Sequence, residues 1–328
     1  MMTTMTNFRA LRVEEKDGVF IPSIKDLMLS DLPDNDVTIR VAYSSLNYKD
    51  ALSATGNKGV TKTYPHTPGI DAAGVVTDSK DSRFKAGDEV IVTSYDLGMN
   101  TSGGFAEYIR VPADWVVPLP EGMSLREAMM LGTAGLTAAM CVEALEHQGL
   151  SSPVLVTGSS GGVGSIAVAL LSKLGYEVVA STGSEASHEL LKTLGAKQII
   201  QRSELSEANT KPMLKPLYGG AVDTVGGETL VNVVKSLQPN ASVAACGLVG
   251  GANLNLTVYP FILRNINLLG IDSQNYPMPK RQALWNKLAN EWKVDLESLT
   301  TEVTLDNLRP TIDDILQGKT KGHVLVKI

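Results

Sequence analysis

The spacing of apolar positions changes twice along the chain. Up to about residue 120, short runs rich in β-branched and aromatic residues alternate with turn signals. The runs at 36–44, 69–77, 88–94 and 106–112 are each bounded by Gly, Pro, Asp or Asn, which predicts a mostly β first portion. After Pro120 the period becomes helical: Ser124 precedes a helix through Met130, and a second apolar helix follows from Leu136 to His147. That change predicts a domain boundary near 121–127. From Pro153 strands and helices alternate. Residues 153–157 predict a strand, 165–175 a helix closed by Gly175, 177–182 a second strand and 186–195 a helix closed by Gly195. Runs at 196–200, 221–225, 241–246 and 266–271 continue the series. Such βαβ units assemble through right-handed crossovers into a parallel sheet covered on both faces.

The expected fold is therefore α/β, a doubly wound parallel sheet of the Rossmann kind joined to a β-rich domain. Beyond Asp272 the tail shows a helix over 280–292 and a last strand at 323–328, and it is assigned to the first domain. Domains are thus expected at 1–125 plus 272–328, and at 126–271.

Composition narrows the function. Hydrophobic residues are 43% and charged residues 20%, so wholesale disorder is excluded. The 29 basic residues are outnumbered by 35 acidic ones, interspersed along the chain, which gives a poor partner for nucleic acid. The first residues carry Arg9, Arg12, Glu14 and Glu15 rather than an apolar leader core. The apolar stretch 163–171 is far short of the roughly 20 residues of a membrane span. A cytoplasmic protein with no membrane partner is expected. Cys141 and Cys246 sit in apolar runs and read as small buried hydrophobes. With four scattered histidines, no metal site is expected.

One motif carries chemistry. Gly158-Ser-Ser-Gly161-Gly162-Val-Gly164 lies between a predicted strand and a predicted helix. Glycines there let the backbone turn tightly and approach a pyrophosphate, whose charge meets free N–H groups at the helix start. The next strand ends Ser181-Thr182-Gly183-Ser184, without the carboxylate that usually accepts a ribose hydroxyl in NAD sites. That favours NADPH, with Arg202, just after the strand at 196–200, as the cation for the 2′-phosphate.

These residues and others resemble the medium-chain dehydrogenase/reductase superfamily, and within it the YhdH/YhfP group. The segments SSLNYKDAL (44–52), PGIDAAG (68–74), GGFAEY (103–108), GTAGLTAA (132–139), AACGLVGG (244–251) and PFILRNINLLGIDS (260–273) carry the resemblance over nearly the whole chain. It implies a GroES-like catalytic domain, a Rossmann domain, a homodimer and no zinc. Where zinc-dependent relatives carry Cys and Gly-His-Glu, this chain has Asn47–Asp50 and Gly69-Ile70-Asp71. The resemblance also implies that Ser160, Gly161, Gly162 and Val163 meet the pyrophosphate, and that Thr182, Gly183, Ser184 and Arg202 surround the adenosine phosphate. Leu248, Ile262 and Ser273 would lie on the nicotinamide side, with Tyr48 facing the cofactor and Thr133 and Thr137 helping to dock it. Relatives often carry Arg or Lys at the position of Ser184, so the phosphate clamp here depends on Arg202.

The activity implied is zinc-independent, NADPH-dependent reduction of the activated C=C bond of a short 2-enoyl-CoA, as in acryloyl-CoA reductases. Tyr48 is the candidate general acid, since a phenol donates a hydrogen bond while resisting ionisation near neutral pH, and Asn47 is the candidate to orient the carbonyl. Arg83, Lys280 and Arg281 are candidate cations for the CoA phosphates. Quinone reduction with the same cofactor is the alternative, and an NADPH-binding protein with a structural or RNA-associated role is the non-enzymatic one.

Overall fold

The computed structural model describes residues 7–328. In chain order, strands β1 (Asn7–Lys16), β2 (Val19–Met28) and β3 (Val37–Leu46) precede helix α1 (Tyr48–Ala54). Strands β4 (Asp71–Ser79), β5 (Glu89–Thr93), β6 (Tyr108–Val111) and β7 (Val116–Pro118) lead to the long helix α2 (Leu125–His147). Then come β8 (Val154–Val156), α3 (Gly162–Lys173), β9 (Val178–Thr182), α4 (His188–Thr193), β10 (Ala196–Gln201), α5 (Ser203–Ser206), β11 (Gly220–Asp223) and α6 (Gly227–Lys235). The remainder is β12 (Ser242–Ala245), α7 (Tyr259–Arg264), β13 (Asn267–Gly270), α8 (Met278–Ala289), β14 (Thr300–Thr304), α9 (Leu308–Leu316) and β15 (His323–Lys327).

Two compact units result. The first runs to Thr133 and includes Gln274–Ala289 and Thr300–Ile328; the second holds Ala134–Ser273 and Asn290–Leu299. In the first unit, β1 and β2 form a hairpin, and a seven-stranded sheet runs β14-β15-β3-β4-β5-β7, with β6 also paired to β3. Val37, Ile39, Val90, Val92, Ile109 and Val111 supply inward-facing positions of one core cluster of that sheet. In the second unit, six parallel strands run β10-β9-β8-β11-β12-β13, the order expected of a doubly wound sheet. All three residues of β8 are buried, as a strand covered on both faces requires.

The domain limits differ from the sequence expectation. The first boundary lies at 133/134 rather than 125/126, and residues 290–299 join the second unit although the tail was assigned to the first. The reason is local. The two helices expected at 124–130 and 136–147 form one element broken at Gly132, whose φ of 52° and ψ of −153° are not helical. The chain leaves the first unit at this break. Taken across this break, the 23-residue element, with an 18-residue window of mean hydropathy 1.5, is long and apolar enough to cross a membrane, unlike the stretch 163–171. Its apolar window is 83% buried within the protein, as in a core helix. The tail also holds β14 and α9, beyond the helix and last strand that the sequence pattern predicts.

Candidate active site

The turn from β3 into α1 brings Asn47 to the helix N-cap, in an extended conformation. Its backbone N–H donates to Asp50 Oδ2 at 2.8 Å, the reciprocal half of a capping box. Its side-chain amide nitrogen donates to Asp50 Oδ2 at 3.3 Å and to Asp71 Oδ2 at 2.8 Å. Both amide hydrogens are thereby used within the protein, so Asn47 braces two carboxylates. Asp50 Oδ1 accepts the N–H of Ile70 at 2.8 Å.

Asp71, the first residue of β4, collects more donors still. Its Oδ2 accepts Ser45 Oγ at 2.5 Å and the Thr133 N–H at 2.9 Å, and its Oδ1 accepts Thr133 Oγ1 at 2.6 Å. With its own proton on Asp71, Thr133 Oγ1 accepts from Ser94 Oγ at 2.8 Å. Gly132 makes this approach possible. A Cβ there would lie 2.5 Å from Ser45 Oγ and 2.6 Å from Asp71 Oδ2.

Asp50 and Asp71 are both 0% exposed, and neither has a cationic partner among the described residues. Burial, with the neighbouring Asp71 carboxylate, pushes the Asp50 carboxyl up to about 7, against the pull of its hydrogen bonds from Asn47 and Ile70. His323, at the start of β15, is buried and its Nε2 has no partner. Desolvation pulls it down to about 4, against the opposing charge of Asp71 and a hydrogen bond to the Met129 backbone. Tyr48 opens α1 directly after this cluster and is 43% exposed. The Asn47–Asp50 spacing was visible in the sequence. The contributions of Ser45, Ser94, Thr133 and His323 were not, although a glycine interrupting an apolar helix pattern was the available signal.

The second unit contains the glycine-rich turn. Gly158 takes φ +57°, and a Cβ at Gly164 would sit 2.3 Å from its carbonyl oxygen, so the turn closes only on glycine. The Ser165 N–H is the first to find a helical acceptor, at Gly161 O, 2.9 Å away. The N–H groups of Gly162, Val163 and Gly164 are thus the unsatisfied donors that a helix start offers an anion. Ser159 Oγ donates to Ser181 O at 2.9 Å, and Thr182 Oγ1 donates to Ser160 Oγ at 3.1 Å, which pins the turn to the end of β9. Arg202 follows β10 and donates its backbone N–H to Thr182 O at 3.0 Å. Its guanidinium lies against Gly183, where a Cβ would be 2.8 Å from Cζ. This exposed cation has no carboxylate partner among the described residues, and the Ser184 N–H is turned inward onto Thr182 Oγ1 at 3.1 Å.

Ser160, Gly161, Gly162, Val163, Thr182, Gly183, Ser184 and Arg202 therefore gather at one end of the parallel sheet. Leu248, just after β12, and Ile262, on α7, are 67% and 68% exposed, and Ser273 ends the longer segment of the second unit. Asn47 and Tyr48 belong to the first unit. Of the cations considered for a CoA ester, Arg281 is 0% exposed and donates to Thr93, while Arg83 pairs with Asp81 and Asp114; Lys280 is exposed. Cys141 is buried as expected, whereas Cys246 is only half-buried. Among the described residues, no three His, Cys, Asp or Glu side chains gather as metal ligands.

Two family models and several known proteins match this chain. Residues 33–121 match the alcohol dehydrogenase GroES-like domain family, and residues 162–290 match the zinc-binding dehydrogenase family. The chain is 46% identical to the acrylyl-CoA reductase AcuI of Ruegeria pomeroyi, over 98% of this chain and 99% of that protein. The structure of the yhdH oxidoreductase from Salmonella enterica in complex with NADP superposes with a TM-score of 0.94 at 46% identity, covering 98% of this chain and 99% of that one. Bacillus subtilis yhfP with NAD bound superposes with a TM-score of 0.95 at 47% identity, covering 98% of this chain and all of that one.

Proposed function

The chain belongs to the medium-chain dehydrogenase/reductase family, in its quinone oxidoreductase-like group, and from that premise we propose that it is an NADPH-dependent reductase of short 2-enoyl-CoA thioesters, acryloyl-CoA above all. The observation that carries the reading is an uncompensated Arg202 beside a phosphate-binding turn, in a chain that matches an acrylyl-CoA reductase along 98% of its length. The free N–H groups at the start of α3 suit a pyrophosphate. Thr182, Gly183 and Ser184 leave room for a 2′-phosphate that the Arg202 guanidinium neutralises. NADPH supplies the hydride that saturates the β-carbon of the alkene. Leu248, Ile262 and Ser273 are assigned to the nicotinamide side.

Reduction of an activated alkene also needs a hydrogen bond at the thioester oxygen and a proton at the α-carbon. We assign the donor role to the Tyr48 hydroxyl. Asn47 is assigned a positioning role, because its amide ties Asp50 and Asp71 together and so fixes the turn that aims Tyr48. The chemistry is read as zinc-independent. A homodimer is supported by the unpaired edge strand β13 and the exposed Tyr259, Leu263 and Leu268 around it. A cytoplasmic setting suits two free thiols and a reduced cofactor.

The test follows NADPH absorbance with acryloyl-CoA and, separately, with a simple quinone. Acryloyl-CoA should be consumed with stoichiometric formation of the saturated thioester. Turnover of the quinone alone would replace the thioester assignment, and a protein idle with both acceptors would remove the enzyme assignment.

A further inference from the structure

The strand order of the second unit reverses between β8 and β11. From β8 the chain builds β9 and β10 on one side, and β11, β12 and β13 lie on the other. Ligands of such sheets bind outside the carboxyl ends of the strands at that reversal. One acidic residue stands there. Asp223 ends β11, is 0% exposed, and has no ion-pair partner among the described residues. Burying a carboxylate without a counter-charge is costly, and an apolar residue would end the strand without that cost. Core packing therefore does not account for Asp223.

Both of its oxygens are taken by turn residues. Thr157, just after β8, donates its hydroxyl to Asp223 Oδ1 at 2.7 Å, and the Gly226 N–H donates to Oδ2 at 2.7 Å. Through these two contacts Asp223 reaches both loops assigned to the cofactor. On one side, Thr157 Oγ1 also accepts the Thr224 N–H at 3.1 Å, and Thr224 Oγ1 donates to Thr157 O at 3.0 Å. That places the Thr224 hydroxyl against Gly158, where a Cβ would clash with it, so the phosphate-binding turn starts pressed onto the end of β11. On the other side, Gly226, at φ +73°, bridges Gly251, and the Gly250 N–H donates to Val225 O at 2.8 Å. The Cys246 N–H donates to Asp223 O at 2.9 Å. Residues 246–251, which carry Leu248, are thus seated on the turn that Asp223 fixes.

We propose that Asp223 is a positioning residue for the nicotinamide nucleotide, holding the 158–164 turn and the 246–251 loop in fixed relation through Thr157 and Gly226. This rests on the reading of the chain as an NADPH-dependent reductase. Asp223 acts on the backbone that meets the nucleotide rather than on the nucleotide itself. Its removal therefore affects parts common to NADPH and NADH, unlike the loss of Arg202.

The experiment titrates wild type, Asp223→Ala, Asp223→Asn and Thr157→Val with NADPH and with NADH, reading nicotinamide fluorescence, with melting curves as the folding control. In Asp223→Ala the dissociation constants of both nucleotides should rise together by about tenfold, since the Gly226 N–H and the Thr157 hydroxyl lose their acceptor. Asp223→Asn keeps an acceptor for Gly226 and can donate to Thr157 Oγ1, so it should recover most of that loss. Thr157→Val removes one arm with little change of volume; it should weaken both nucleotides in the same way, and it decides the matter if Asp223→Ala does not fold. A merely structural role would lower the melting temperature and leave both constants of the folded protein unmoved, and that result overturns the proposal. So does a loss confined to NADPH, or one that asparagine fails to recover. If the wild type binds neither nucleotide, the reading of the chain as an NADPH-dependent enzyme fails and takes this inference with it; if it binds and the variants bind equally well, only this inference fails.

Discussion

Replacing Gly183 with alanine tests the phosphate clamp without touching a charged residue. Gly183 is not among the residues with positive φ, so alanine fits the backbone there. The added Cβ would lie 2.8 Å from Arg202 Cζ and 2.9 Å from Nε and one terminal nitrogen, whereas ordinary contact begins near 3.4 Å. The guanidinium must therefore withdraw by the difference, roughly 0.6 Å or more, and as the end of a flexible, exposed side chain it can do so at little cost to folding. That displacement is enough to spoil a charge-assisted hydrogen bond. Such bonds contribute about 1.5–3 kcal/mol, and the exposure of Arg202 favours the lower end. The expected outcome is an NADPH KM raised about tenfold, since about 1.4 kcal/mol corresponds to one decade, with the NADH KM and the melting temperature nearly unchanged. Steady-state kinetics with both nucleotides measure it. In an Arg202→Ala background the alanine at 183 should add nothing further, because the two changes act on one interaction. Equal losses with NADPH and NADH, or an unaltered NADPH KM in a folded variant, would refute the clamp.

Three further outcomes follow from the buried cluster in the first unit. His323 falls from its ordinary 6.5 to about 4, so below 6.5 the unfolded chain binds the proton first, and stability is lost as pH falls through that window, by up to about 3 kcal/mol. His323→Leu removes this loss, so its stability relative to wild type in urea melts should improve by that order between pH 7 and pH 4; a pH-independent difference would contradict the assignment. Asp50 has the opposite sign. Its carboxyl rises from 3.8 to about 7, so the folded state holds the proton longer, and stability should decline as pH rises from about 4 to 7, a slope exposed in the His323→Leu protein once the histidine no longer offsets it. Gly132→Ala combines a φ of +52° with contacts of 2.5 and 2.6 Å to Ser45 and Asp71, and should destabilise by about 3 kcal/mol or more; a melting temperature equal to wild type would show that the bend adapts.

Much of this protein is legible in local order. The alternation of β-branched runs with glycine-closed helices specifies a parallel sheet, because strands and helices of those lengths can bury their apolar faces only by crossing over one another. The Gly158–Gly164 turn is likewise local, since backbone that must approach its own carbonyl excludes side chains, and the missing carboxylate after β9 is read directly from Thr182-Gly183-Ser184. What local order did not reveal are contacts between residues far apart in the chain. Asp71 draws on Ser45, Asn47 and Thr133, and lies beside His323, while Tyr95 is held by Trp115 and Arg281. Arg281 illustrates the limit: in sequence it is a candidate cation for a phosphate, yet the fold buries it against Thr93. Sequence pattern reports periodicity and the chemistry of neighbours, so it determines the sheet, the turn and the kind of cofactor they suit. Which polar groups meet around a buried carboxylate, and which cations the fold buries, depend on long-range packing, and only the tertiary structure decides them.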